Sequence, residues 1–182
     1  MVQIMIENMV AAAEIGKNID MESVAKALDS EKSAGFPGVI YNNRHPKAAC
    51  IIFQEGLLVL TGPKNLEDVT SVVKTIITKL RSKGIEVKTK TQVKVKNIVA
   101  SYDFWKRIDL DEVIELLPED KARYEPDVFP GVEYQMESGF TALIFESGKI
   151  VFTGANKLKD IENACDDLIM KLGGVELSAS DS

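Results

Sequence analysis

Apolar and polar positions along this chain follow a programme that runs twice. Residues 3–13, QIMIENMVAAA, read as a strand. A short helical stretch follows, with Asp20 as its N-cap and Val24 and Leu28 on its inner side. Three short strands come next, around 37–42, 47–53 and 57–61, with Gly56 in the last hairpin turn. The period then lengthens to that of a helix, and Val69, Val72, Val73, Ile76 and Leu80 form one stripe. The programme restarts with TQVKVKNIVAS at 91–101. Asp109 caps a short helix, with Glu112 at the capping-box position and Pro118 beyond the end. Val113, Ile114 and Leu117 are its apolar residues. Strands around 131–136, 140–145 and 149–153 follow, with Gly148 in the last turn. The closing stripe is Ile161, Ala164, Cys165, Leu168, Ile169 and Leu172, ended by Gly173-Gly174.

The second run repeats residues as well as periods. NMVA at 8–11 matches NIVA at 97–100, Lys17 matches Lys106, and Ile19-Asp20 matches Ile108-Asp109. FPGV occurs at 36–39 and again at 129–132, each followed by a tyrosine, Tyr41 and Tyr134. CIIF at 50–53 meets ALIF at 142–145, and VLTG at 59–62 meets VFTG at 151–154. The order holds through Leu66-x-Asp68 and Leu158-x-Asp160, so the chain is a tandem duplication. The boundaries are a first copy at 1–91, a second at 92–174 and a tail at 175–182. The joining segment KGIEVKTKTQVKVK is too short and too β-prone for a flexible linker, which predicts copies fused side by side.

Composition narrows the class. The 182 residues are 45% hydrophobic and 27% charged, as suits one compact globular unit or two small fused ones. No run is long enough for a membrane span, and the N-terminus lacks the basic start and cleavage site of a signal peptide. An intracellular soluble protein is expected. Cys50 and Cys165 lie in apolar runs and read as small core residues, and His45 sits in a polar loop. No metal site or cofactor is expected. Carboxylates are not paired beside histidine or cysteine, so an enzyme is disfavoured. The net charge of −6 is uneven. Residues 1–91 hold 12 Lys+Arg against 10 Asp+Glu, and residues 92–182 hold 10 against 18. An acidic total argues against nucleic-acid binding driven by bulk charge, while leaving room for a local basic surface.

The strands carry the functional hint. In ACIIF, Cys50 and Ile52 oppose Ala49, Ile51 and Phe53, and in LLVLT, Leu58 and Leu60 oppose Val59 and Thr61. The second copy puts Leu143, Phe145, Val151 and Thr153 on one parity. Both faces are apolar, yet each copy has only two helices to cover them. The uncovered face, dotted with Asn8, Asn97, Thr61 and Thr153, belongs to a sandwich, a dimer or an interaction surface.

These motifs, with YEPDVFPG at 124–131, make the chain resemble the TATA-box binding protein family in its archaeal form, over residues 3–172. The resemblance implies an α+β saddle: a curved ten-stranded antiparallel sheet with four helices on the convex face and DNA beneath the concave one. It implies minor-groove binding with kinking by aromatic wedges, for which this family is itself the general example. Position by position, it makes Phe36, Phe53, Phe129 and Phe145 the wedges. Asn8 and Asn97 become donors to base acceptors, beside Thr61 and Thr153. It assigns apolar contacts to Val10, Ile51, Val59, Val99, Leu143 and Val151, and phosphate contacts to Lys64 and Lys149. Glu125 and Asp127 become part of a contact for transcription factor B, through which RNA polymerase is recruited indirectly. The implied partner is double-stranded promoter DNA, with a homodimer as the occupant of that face off DNA. The implied location is the cytoplasm of an archaeon, or a nucleus for a eukaryotic source.

The basic positions depart from the family. Where it has arginine after the tyrosine position, this chain has Asn42 and Gln135. The Gly-Lys turn kept at Gly148-Lys149 is Gly56-Leu57 in the first copy, and Lys64 meets Asn156 in the second. The second copy is also one residue shorter between its phenylalanines, in the turn at Ser138-Gly139. Fewer phosphate contacts imply weaker, less salt-dependent binding. They also raise an alternative: a paralogue that works mainly by binding proteins.

Overall fold

The computed structural model describes residues 3–173; Gly174 and the tail at 175–182 lie outside the described residues. The described residues divide into two compact units, one of residues 8–96 and one of residues 97–173 together with 3–7.

The first unit is built on β1 (Met5–Glu14), whose first three residues count with the other unit. Then come α1 (Met21–Ala27), β2 (Gly38–Asn43), β3 (Ala48–Phe53), β4 (Leu57–Thr61) and α2 (Leu66–Ser82). The strands are antiparallel in the order β2-β3-β4-β1. Asp20 caps α1 by accepting from Ser23 N, and Asn65 caps α2 by accepting from Asp68 N. The stripe read from the sequence is buried in α2, with Ile77 added. Beneath it lie Val39, Tyr41, Cys50, Ile52, Leu58 and Leu60, all buried. The Lys79 ammonium donates to the Tyr41 hydroxyl at 2.8 Å and stands 4.9 Å above the ring centroid.

The second unit holds β5 (Val93–Asp103), whose first four residues count with the first unit, α3 (Leu110–Leu116), β6 (Ala122–Tyr124), β7 (Gly131–Gln135), β8 (Thr141–Phe145), β9 (Lys149–Ala155) and α4 (Leu158–Leu172). Its strand order is β5-β9-β8-β7-β6, again antiparallel. Asp109 caps α3 through Asp111 N and Glu112 N. Val132, Tyr134, Ala142, Ile144, Ile150 and Phe152 repeat the buried set of the first unit. Lys171 repeats the ring contact of Lys79, 5.8 Å from the Tyr134 centroid. Burial pushes the thiols of both Cys50 and Cys165 up to about 12, as befits small core residues.

The class is therefore α+β with four helices, and the duplication is visible element by element. The described residues contain nine strands rather than the ten the resemblance implies. The extra strand of the second unit is β6, where Arg123 and Tyr124 pair with Glu133 and Val132. The first copy offers SEKSAG, residues 30–35, at this point. Its serines and glycine have low strand propensity, and Gly35 turns at φ 79°. The joining segment is tied down: Lys88 N donates to Ile15 O at 2.7 Å, and the Thr91 hydroxyl donates to Glu14 O at 2.8 Å. The Lys88 ammonium lies 3.1 Å from the Glu14 carboxylate, whose pKa it lowers. No described helix is long and apolar enough to cross a membrane.

Candidate nucleic-acid interface

In each unit the helices cover one face of the strands, and the other face carries the residues singled out above. In the first unit, register places Ile40 opposite Ile51, Ile51 opposite Val59, and Val59 opposite Ala12. The next row runs Asn42, Ala49, Thr61, Val10. Val10, Ile51, Phe53, Val59 and Thr61 are all half-buried, between the covered core and open solvent. The second unit brings Leu143 opposite Val151 and Thr141 opposite Thr153 in the same manner. Val99 sits where the β5–β9 register slips between Ile98 and Ala100.

The four phenylalanines meet in two pairs. Phe36 and Phe53 have ring centroids 6.5 Å apart, and Phe129 and Phe145 have theirs 5.7 Å apart. All four rings are half-buried. The glycine of each FPGV makes this arrangement possible. Gly38 stands opposite Phe53, and Gly131 opposite Phe145. A Cβ at Gly38 would lie 2.7 Å from the Ile52 carbonyl oxygen. One at Gly131 would lie 2.9 Å from the Ile144 carbonyl oxygen and 3.0 Å from the Phe129 ring. The tetrapeptide thus couples a half-buried ring to a tight strand crossing.

The asparagines are oriented by the backbone. Gly62 N donates to Asn8 Oδ1 and Gly154 N to Asn97 Oδ1, both at 2.7 Å. With the oxygen engaged by the backbone, the amide NH₂ is the group that remains to donate to a partner. In the first unit, Asn8 Nδ2 also donates to the Thr61 hydroxyl at 2.8 Å. Among the described residues the second unit has no counterpart of that bond. Seen from outside, these sites are rich in donors, which matches a surface of acceptors such as the A·T minor groove.

The two lysines do not form a symmetric pair. Lys64 is exposed just beyond the end of β4, whereas Lys149 opens β9. Lys149 stands opposite Asp103, with its ammonium 3.8 Å from the Glu7 carboxylate. Glu7 also accepts from the Ser101 hydroxyl at 2.6 Å. Glu125 and Asp127 are exposed in the loop after β6. Glu125 takes two hydrogen bonds from the Arg123 guanidinium, at 2.8 and 2.7 Å. That contact holds the Glu125 carboxyl below the ordinary carboxylate range and raises Arg123. Val128 is 76% exposed between Asp127 and Phe129.

Sequence reasoning passed over three residues of this surface. Ile40 is 43% exposed on the open row of the first unit. Glu133 holds the same place in the second, opposite Leu143, with Arg123 beyond it. The signal was present in FPGVI against FPGVE, but its meaning depends on strand register.

The chain is similar to known proteins over most of its length. The family described as Transcription factor TFIID (or TATA-binding protein, TBP) matches residues 3–83 and 92–174. The TATA-box-binding protein of Thermoplasma acidophilum is 41% identical over 165 residues, 89% of this chain and 90% of that protein. The one from Haloarcula marismortui is 37% identical over 175 residues, 94% of each chain. The solved structure of Methanococcus jannaschii TBP superposes with a TM-score of 0.87 at 34% identity, covering 94% of this chain and 98% of that one.

Proposed function

The chain belongs to the TATA-binding protein family, and on that premise we propose that it is a general transcription initiation factor that binds A·T-rich promoter DNA in the minor groove and bends it. The observation that carries the reading is the pairing of Phe36 with Phe53 and of Phe129 with Phe145 at the edge of an uncovered apolar face. Rings held this way can wedge between base steps. Unstacking costs roughly a few kcal/mol per step, which the contact of the apolar rows with the widened groove offsets. Flexible TA steps lower that cost and so supply selectivity. The NH₂ groups of Asn8 and Asn97, left to donate by the bonds to their oxygens, reach base acceptors, with Thr61 and Thr153 beside them. Val10, Ile51, Val59, Val99, Leu143 and Val151 supply apolar contact, and Lys64 and Lys149 reach phosphates.

Recruitment of transcription factor B, and of RNA polymerase through it, runs through the exposed loop with Glu125 and Asp127, where Val128 adds an apolar contact. Asn42 and Gln135, in place of the family's arginines, support a second reading in which protein contacts matter more than DNA affinity. One experiment separates the two. Bending of a short TATA duplex is followed by energy transfer, with and without transcription factor B, for the wild type and for Phe129→Ala/Phe145→Ala. The DNA-bending reading expects the wild type to bend the duplex and the double variant to lose most of the bend while staying folded. Global unfolding of the variant would place the rings in the core. Absence of both bending and a ternary complex in the wild type would favour the protein-binding reading.

A further inference from the structure

We propose that Glu133 makes the second unit the weaker reader of A·T pairs and thereby gives the protein a preferred orientation on DNA. The inference rests on the minor-groove reading above. Across the open face of the first unit one row reads Ile40, Ile51, Val59, Ala12. The equivalent row of the second reads Glu133, Leu143, Val151, Ser101. Directly opposed residues of neighbouring strands share a face, so the exposed carboxylate stands on the side of Leu143 and Phe145.

Its charge is offset only in part, by the neighbouring guanidinium of Arg123. Arg123 lies opposite Glu133 on β6, but its guanidinium is engaged by Glu125 through two hydrogen bonds. Two carboxylates, Glu125 and Glu133, thus act on one guanidinium.

A carboxylate accepts hydrogen bonds and donates none. An A·T pair shows only acceptors in the minor groove, and the phosphate walls are negative. Glu133 therefore finds no partner there, whereas Ile40 meets the same groove without charge. A G·C pair adds the guanine N2 donor, which a carboxylate accepts. The second unit thus tolerates a G·C pair that the first rejects, and the first takes the A·T-richer half of the site.

The test uses the full chain and duplexes in which a single G·C pair is moved from one half of an A·T tract to the other. Orientation is read by strand cleavage from an iron chelate tethered at Ser138→Cys, in an exposed turn; Cys50 and Cys165 are buried and escape labelling. The wild type should cleave one flank in clear excess, and the excess should follow the moved pair. Glu133→Gln, which keeps the shape, and Glu133→Ile should even out the cleavage. They should also tighten binding to an all-A·T duplex by about threefold, as for one screened charge. The salt dependence should steepen by up to about 0.9 in slope. The exchange Ile40→Glu with Glu133→Ile should reverse the flank. Unchanged cleavage and affinity in Glu133→Gln, with wild-type bending intact, would overturn this inference alone. A wild type that binds none of the duplexes would overturn it together with the DNA-binding reading.

Discussion

The two units share a buried face and differ on the open one. Under the helices, Val39, Tyr41, Ile52 and Leu58 correspond to Val132, Tyr134, Ile144 and Ile150, close in kind and volume. Each long helix even lays a lysine over its tyrosine. On the open side the first unit is apolar at its edge, with Ile40 exposed, and Asn8 is bonded to Thr61. The second has the added strand β6, the Arg123–Glu125 pair, Glu133, and a Thr141–Gln135 hydrogen bond at 3.1 Å. A close-packed interior admits little change in volume, so duplicated cores stay alike. An open face obeys only what it binds, and there the copies have been free to separate.

That contrast can be tested at graded cost. The largest effect should come from Gly56 and Gly148, a device both units share. They turn at φ 92° and 88°. A Cβ would fall 2.0 Å from the Gly16 carbonyl oxygen in one unit and 2.1 Å from that of Lys106 in the other. Gly56→Ala and Gly148→Ala should each lose about 3 kcal/mol or more in urea unfolding, by backbone clash and strain. Markedly unequal losses would mean the two cores are less alike than their residues.

A smaller and unequal effect is expected at the asparagines. Asn8→Ala removes bonds to both Gly62 N and Thr61, whereas Asn97→Ala removes the one from Gly154 N. At about 1 kcal/mol per bond, the losses should be about 2 and 1 kcal/mol. Thr61→Val should be felt in stability and Thr153→Val hardly at all. Equal losses for the two asparagines would remove this difference between the units.

The smallest effect belongs to the second unit alone. The Arg123 hydrogen bonds hold the Glu125 pKa below its ordinary value of 4.5, so the folded state binds this proton less readily than the unfolded chain. The stabilising contribution is present above pH 4.5 and is lost as pH falls through the lower folded value. Carboxyl NMR should show Glu125 titrating below 4.5, and Arg123→Gln should return it toward 4.5. An unshifted midpoint in the wild type would show that the two-bond contact does not persist in solution.

Much of this was legible in advance. Local periodicity marks elements, and capping residues mark helix starts, so Asp20 and Asp109 were found where the helices begin. Internal repetition located the paired phenylalanines and the paired asparagines without any coordinates. The strand missing from the first unit was not legible, because β6 depends on a partner strand that lies next to it only after folding. Nor was the loose attachment of Lys149 to Glu7, which are 142 positions apart.

By itself the sequence determined the duplication, the order and type of the elements apart from β6, and the alternation that gives strands such as β3, β4 and β8 two apolar sides. Those properties are local, set by side-chain period and by turn and cap chemistry. Only the tertiary structure decided which side the helices cover, since two apolar faces read alike along a strand. It also decided that the amide oxygens of Asn8 and Asn97 accept from the Gly62 and Gly154 amides, that Arg123 is engaged by Glu125, and that Glu133 stands beside Leu143. Each of those depends on register between strands or on a loop folded back on its neighbour, and no stretch of chain encodes its register alone.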